Sequence, residues 1–486
     1  MPYTVPQNID PNKIFLVNYS DLEGRWDPVF TLYSKHVKNE FEFPLVQLKD
    51  VLIKSPQYGT AECGIERKAE TEPRYIRITD IDELGNLIDG LGATAEKLEE
   101  QYILNDGDIL FARSGATVGK TYLHKTLPYQ CFFAGYMIRI VVDKAKILPE
   151  YLFVYTQLQP YKDWVKAIQR AAAQPNINAE EYKSLPVPLP TIPIQQQIVN
   201  VYNAALSQRK KKLSESKVKL ASIDQYLLGE LGITLPSKTA YYEDFVCSEP
   251  TAVYHKVNEY ELDQNNLLVQ KGQIFTTMFS EVCGGRIDPL ANNPTLKAIR
   301  KRLSGSSFVP LKQVVKESNE VTNDIIKSDI YVGLENIESN TGNYIVTKEK
   351  DTISSALRFK KGQILFPKLR PYLNKVYFAE FEGICSTEFH VLSAHNIDSR
   401  YLQYCLLSKL TLEQTTSLMT GNTLPRLQSS DIANIQIPAP SPSKQREIAD
   451  HISAIRAEAK ALEQEADAIL EQAKKKVEEM ILGYFS

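Results

Sequence analysis

The nine residues from Arg113 to Thr121 read Arg-Ser-Gly-Ala-Thr-Val-Gly-Lys-Thr and fall one residue short of a phosphate-binding loop. That loop has the form G-x-x-x-x-G-K-[ST]. Its backbone N–H groups wrap the phosphates, its lysine reaches the terminal one, and it must open a helix. Gly119, Lys120 and Thr121 supply the end of the pattern, but Ser114 stands where the first glycine belongs. The residues after it, Thr121-Tyr122-Leu123, have the character of a strand, and no apolar run ending in Asp lies nearby. A nucleotide-binding enzyme built on Ser114–Thr121 is therefore the weaker alternative, and it would make Lys120 indispensable.

Other chemistry is scarcer still. An adenine methyltransferase holds its flipped base with an Asn/Asp-Pro-Pro-aromatic tetrad. The nearest match, Asn292-Asn293-Pro294-Thr295, lacks the second proline and the aromatic ring. His390 and His395 are five residues apart, off the i,i+4 face that two metal ligands on a helix would share. The six cysteines, at 63, 131, 247, 283, 385 and 405, form no CxxC pair. They read as reduced thiols of a cytoplasmic protein, with no metal site in the chain. The opening residues are polar and proline-rich, unlike a signal peptide. The longest apolar run, Cys131–Val142, is interrupted by Arg139 and too short to span a bilayer, so it reads as a buried strand. No catalytic residue is assigned.

The composition is not that of a strongly basic DNA binder. The 486 residues, 43% of them apolar, suffice for two or three cored domains. With 56 basic against 59 acidic side chains the net charge is −3, so any contact with a polyanion must come from local patches or from partners.

The chain also repeats itself. Asp27-Pro28 is echoed by Asp288-Pro289, Val46-Gln47-Leu48-Lys49 by Val309-Pro310-Leu311-Lys312, and Gly107–Phe111 by Gly362–Phe366. Tyr151-Leu152 is echoed by Tyr401-Leu402, Leu185–Pro190 by Ile435–Pro440, and Gln195 and Ile198 by Gln445 and Ile448. An ordered series of matches argues for duplication. Each half begins with short β-like runs and ends in a long helix. Tyr202, Leu206, Arg209, Leu213, Ser216, Leu220, Ile223 and Leu227 step by four and three in the first helix. Ile448, Ile452, Ile455, Ala459, Leu462, Ala466, Ile469 and Ala473 do so in the second. This is a heptad seam. Ser441-Pro442 should start the second helix, and Gly232 and Gly483 should stop the two. Helices of nearly 40 residues would run about 55–60 Å, and each apolar stripe finds its partner most simply in the other.

The duplication also bears on the opening stretch. Its second copy, Pro367–Tyr377, keeps the strand before it and the Lys-x-Tyr after it (Lys120 and Tyr122; Lys375 and Tyr377), but the glycines are gone. One scaffold carrying two loop chemistries suits two recognition modules with different ligands. Arg358 to Lys375 holds Arg358, Lys360, Lys361, Lys368, Arg370 and Lys375 with no acidic residue, which favours a polyanion.

Together these features resemble the specificity (S) subunit of type I restriction-modification systems. Carrying the resemblance are Gly107–Gly115 with Gly119-Lys120, Gly421–Leu427 with Ile437–Pro440, Gln445-Arg446-Glu447-Ile448, and the order domain, helix, domain, helix. The resemblance implies an α+β fold with an internal pseudo-twofold repeat. Two mixed, β-rich target recognition domains, residues 1–187 and 236–437, would be separated by antiparallel spacer helices in 188–235 and 438–486. It implies a non-catalytic, DNA-binding chain in which each domain reads one half of a two-part double-stranded DNA target. Two modification (methyltransferase) subunits that bind S-adenosylmethionine, and restriction subunits that use ATP and Mg, would be the partners. The expected DNA contacts are Arg113, Thr117 and Lys120 in the first domain and Lys368, Arg370, Tyr372 and Arg426 in the second. Gln195 and Gln445 are the expected partner contacts. The rival reading is a coiled-coil adaptor that binds protein instead of DNA.

Overall fold

The computed structural model describes residues 16–17, 27–37, 41–169, 175–235, 260–262, 268–270, 303, 307–326, 329–347, 353–416, 418–419 and 425–482. The expected repeat at Asp288-Pro289, the tetrad at 292–295, the cysteines at 247 and 283, and the helix stop at Gly483 lie outside these residues. The chain divides into two compact units, Met1–Leu213 with Glu463–Ser486 and Ser214–Leu462. Each unit takes one half of both long helices, so the units do not follow the linear order of the chain.

In the first unit a four-stranded antiparallel sheet has the order Gln57–Tyr58, Met137–Ile140, Ile109–Ala112, Thr121–Leu123. The second unit repeats it with Val315–Ser318, Phe389–Ala394, Ile364–Pro367 and Tyr377–Phe378. A smaller clasp also recurs: Val46 pairs with Val187 in the first unit and Val309 with Ile437 in the second. The residue matches read from the sequence are thus equivalent positions in space.

The second four-stranded sheet of each unit departs from perfect repetition. Both contain a parallel pair, Arg74–Ile76 with Cys131–Phe133 and Tyr331–Val332 with Gly383–Cys385. In the first unit Ala93–Thr94 attaches to the Arg74–Ile76 side of the pair, whereas Ala356–Phe359 attaches to the Gly383–Cys385 side. The apolar run Cys131–Val142, expected as one strand, is two. Cys131–Phe133 belongs to this sheet and Met137–Ile140 to the other, with a turn at 135–136 passing the chain between them. Arg139 is compatible with burial because its guanidinium donates to the carbonyl oxygens of Ile103 and Gln101 and faces Asp108 at 3.5 Å.

The long helices are α1, Ile192–Glu230, and α2, Pro442–Leu482. Of their expected seam positions, Tyr202, Ser216 and Leu227 in α1 and Ile448, Ile452, Ala459, Ala466 and Ala473 in α2 are buried, and the others are half-buried. Within the first unit Arg209 pairs with Asp467 at 3.1 Å and Lys212 with Glu465 at 2.7 Å. Within the second Lys219 pairs with Glu458 at 2.6 Å, and the rings of Tyr226 and His451 stack at 4.1 Å. In each unit the partner's number falls as the residue number rises, so the helices run antiparallel. The ends expected at Ser441 and Gly232 hold. Ser441 Oγ accepts from the Lys444 N–H at 3.4 Å, and Gly232 at φ +65° lets Ile233 N–H reach back to the Leu228 carbonyl at 2.8 Å.

The helices are built into the domain cores rather than lying beside them. Leu470, Val477 and Ile481 of α2 join the first unit's core with Trp164 and Tyr182, and Leu227 of α1 joins the second unit's core with Ile364 and Tyr401. Among the described residues no helix is long and apolar enough to cross a membrane.

Candidate nucleic-acid interface

The loop after Ile109–Ala112 closes back on itself. Gly119 N–H donates to the Ala112 carbonyl at 3.0 Å and Ala112 N–H to the Lys120 carbonyl at 2.8 Å. Val118 N–H bonds the Gly115 carbonyl and Lys120 N–H that of Thr117. Gly115 N–H in turn reaches the Pro175 carbonyl at 3.1 Å. The N–H groups of Gly115, Val118, Gly119 and Lys120, among those a phosphate-binding loop would offer, are already engaged with carbonyls, and the chain continues into the strand Thr121–Leu123 instead of a helix. The nucleotide-binding alternative fails on this geometry.

The glycines serve the backbone. Gly115 and Gly119 have φ of +86° and +87°, the left-handed region that most side chains avoid. The second unit makes the same turn with Arg370 at +48° and Asn374 at +51°. Three of its hydrogen bonds correspond: Arg370 N–H to the Pro425 carbonyl as Gly115 to Pro175, Leu373 N–H to Arg370 as Val118 to Gly115, and Leu427 N–H to Lys368 as Ile177 to Arg113; Asn374 N–H instead turns to the Pro371 carbonyl, and Pro367 has no N–H to match that of Ala112. Arg113 therefore matches Lys368, Gly115 matches Arg370, Thr117 matches Tyr372 and Asn176 matches Arg426. Asn tolerates the left-handed region comparatively well, and the Asn374 amide is anchored by donating to the Leu407 carbonyl at 2.7 Å. Arg370 has no such excuse. It is exposed, and among the described residues its guanidinium has no recorded partner.

Three segments meet at this corner of each unit: the loop itself, the turn before the central strand (Tyr136 or Glu388), and the return segment at Asn176 or Arg426. Arg113 N–H donates to the Tyr136 carbonyl at 3.0 Å and Lys368 N–H to the Glu388 carbonyl at 2.8 Å. In the first unit the Arg113 guanidinium lies over the Tyr58 ring, 4.8 Å from its centroid, Tyr136 is 67% exposed, and Thr117 is half-buried at the loop tip. In the second, Tyr372 is exposed at the loop tip, Lys368 donates to the Thr387 carbonyl, and Arg426 is gripped by Glu388. Beneath it His390 is buried, with Nδ1 2.7 Å from Glu317 Oε1. Burial lowers its pKa against the opposing pull of that carboxylate.

Three expectations need correction. Lys120 is largely enclosed: its ammonium donates to the Ile81 carbonyl at 3.2 Å and to Glu83 at 2.8 Å. Its counterpart Lys375 likewise donates to the Leu334 carbonyl at 2.9 Å. Both lysines tie the loop to a short helical turn and are scaffold. Gln195 and Gln445 are buried, not poised for a partner. Gln195 accepts from Leu148 N–H and donates to the carbonyls of Pro190 and Lys146; Gln445 accepts from Asp398 N–H and donates to that of Pro440. They lock the start of each long helix to its domain. Finally, the basic run Arg358–Lys375 is not one face. Arg358 bonds Thr322 and the Asp324 carbonyl, and Lys360 and Lys361 precede the strand Ile364–Pro367 while Lys368 and Arg370 follow it.

The corner thus retains Arg113, Thr117, Lys368, Arg370, Tyr372 and Arg426 from the expected set, and adds Tyr136, Asn176 and Glu388. These mixed donors, acceptors and rings can meet base edges and phosphates. No group of three or more His, Cys, Asp or Glu side chains placed to hold a metal ion occurs among the described residues.

Sequence comparison with a family model agrees with this design. The model of the type I restriction modification DNA specificity domain matches residues 33–238 and 309–472, each match taking in one corner and most of the long helix after it. A 144-residue stretch, 29% of this chain, is 29% identical to the EcoDI type I restriction enzyme specificity subunit of Escherichia coli and spans 32% of that protein. The MjaVIII specificity subunit of Methanocaldococcus jannaschii is 21% identical over 400 residues, 82% of this chain and 83% of that one. Among solved structures, a type I R-M system chain aligns at TM-score 0.43 and 13% identity, covering 91% of this chain and 98% of its own. The S subunit from M. genitalium aligns at 0.39 and 12%, covering 92% and 97%.

Proposed function

The chain belongs to the type I restriction-modification DNA specificity family, and from that premise we propose that its two corners each read one half of a two-part duplex DNA target. The observation that carries this reading is the duplicated corner. The left-handed turn, three of its hydrogen bonds and its supporting lysine recur in both units, while the outward residues differ: Arg113, Tyr136 and Asn176 against Lys368, Glu388 and Arg426. Two heads that had to recognise one ligand would have no reason to keep the scaffold and change the contacts.

In this reading the chain is a non-catalytic reader. The paired helices, which both units share, set the gap between half-sites. The exposed faces of α1 and α2 away from the seam receive the modification subunits, which bring S-adenosylmethionine. Restriction subunits bring ATP and Mg. Phosphate contacts can come largely from those partners, which suits a net charge of −3. Retention of duplex DNA by the chain with and without its modification subunits tests the reading. The complex should retain a specific duplex over a scrambled one. Equal retention of both, or retention of protein partners alone, would favour the coiled-coil adaptor.

A further inference from the structure

The second corner carries a carboxylate where the first carries a phenol. Glu388 and Tyr136 are equivalent, since each offers its carbonyl to the first residue of the loop, Lys368 or Arg113. Tyr136 projects into solvent, 67% exposed. Glu388 is instead folded onto Arg426, accepting from Nε at 3.0 Å and from Nη2 at 2.8 Å, and the side chains are 29% and 40% exposed. The segment bearing Arg426 is itself fixed, bridged to Leu369 and followed by the Leu427 N–H bond to Lys368.

A two-point bond sets the plane of a guanidinium as well as its distance. A carboxylate would be out of place on a surface meant only for phosphates, because it repels them. Base edges are different. The second edge of a guanidinium, Nη1 with Nη2, has the donor spacing that guanine N7 and O6 accept, and a carboxylate accepts from the N4 amino group of the paired cytosine. The couple is complementary to one G·C pair.

We infer that Glu388 is a specificity-determining residue: it positions Arg426 for a guanine edge. The inference rests on the recognition reading above. It also gives the two domains different base preferences at one shared position, because the first has Asn176 there, with no matching carboxylate.

Selection of duplex DNA from a randomised library by the purified chain with its modification subunits tests it. The wild-type complex should yield a two-part motif with one G·C pair assigned to this corner. Arg426→Ala and Glu388→Ala should both relax that same position, by about tenfold or more, and leave the other half-site intact. Glu388→Gln, which keeps the size and one acceptor oxygen, should relax it less. It also serves as the working variant if Glu388→Ala fails to fold. A wild-type motif that neither Glu388 variant changes overturns the role of Glu388. So does a uniform loss across all sequences with a flatter salt dependence, which would make Arg426 a phosphate contact. A wild-type complex that selects no motif overturns the recognition reading itself.

Discussion

Replacing Arg370 with glycine should make the protein more stable and a poorer DNA binder. Arg370 sits at φ +48°, where its first-unit counterpart is Gly115 at +86°. Holding an ordinary side chain in the left-handed region costs roughly 1–2 kcal/mol. Glycine removes that strain but adds freedom to the unfolded chain, which costs roughly 0.5–1 kcal/mol. The difference leaves a gain of roughly 0.5–1 kcal/mol, or a rise of about 1–4 °C in the melting of the second unit. Arg370 is exposed and its side chain has no recorded partner among the described residues, so no native contact is lost to offset this gain. Binding should move the other way. If Arg370 meets a phosphate, the slope of log affinity against log salt should fall by about one, with all sequences weakened alike; if it meets a base, one position should relax at a cost of about 1–3 kcal/mol. Differential scanning calorimetry, paired with fluorescence anisotropy titrations at several salt concentrations, reads both effects on the chain with its modification subunits. A lower melting temperature would refute the strain argument. Unchanged affinity and salt slope would refute the placement of Arg370 on the DNA surface.

The other positions of the loop separate in the same way. A Cβ on Gly115 would meet nothing within 4 Å, so Gly115→Ala should cost only about 1 kcal/mol of backbone strain in thermal melts. A Cβ on Gly119 would lie 2.8 Å from the Val165 side chain, so Gly119→Ala should cost roughly 2–4 kcal/mol. Lys120→Ala should lower stability by about 1 kcal/mol through loss of its bond to the Ile81 carbonyl, yet leave the salt slope of DNA binding unchanged; a flatter slope would return Lys120 to the interface. His390 has a pKa lowered by burial in the folded chain, so the unfolded chain binds its proton more readily. The stability contributed by neutral His390 should be present above the unfolded pKa of about 6.5 and be lost as pH falls below it. Denaturant melts of His390→Gln across that range should show a shallower dependence on pH than the wild type.

The helices were legible because a heptad seam is a periodic signal, and burial at Ile452, Ala459 and Ala466 follows it. The repeat was legible because short apolar strands such as Ile109–Ala112 and Ile364–Pro367 must pair in the same sheet position. The loop was only half legible. The vanished glycines read as a change of loop chemistry on a shared scaffold; that Arg370 and Asn374 hold the same left-handed backbone is something nothing in the identity of an arginine foretells. Lys120, Gln195 and Gln445 were misassigned for a common reason. They recur in both halves, and what recurs here holds the scaffold together by bonding main-chain carbonyls. The residues that set the two corners apart are those that differ between the copies. Tyr136 escaped notice because the turn that presents it lies inside a run that reads as one strand, and Glu388 because a search for basic residues passes over an acid.

Sequencing the methylated bases of a host that carries this chain with its modification subunits tests the central claim most directly. The account predicts one motif in two unlike parts, separated by a gap of fixed length and modified on opposite strands. Exchanging the corner residues of one unit should alter only the corresponding part. A single continuous motif, or one in which changes to either unit alter both parts together, would contradict it.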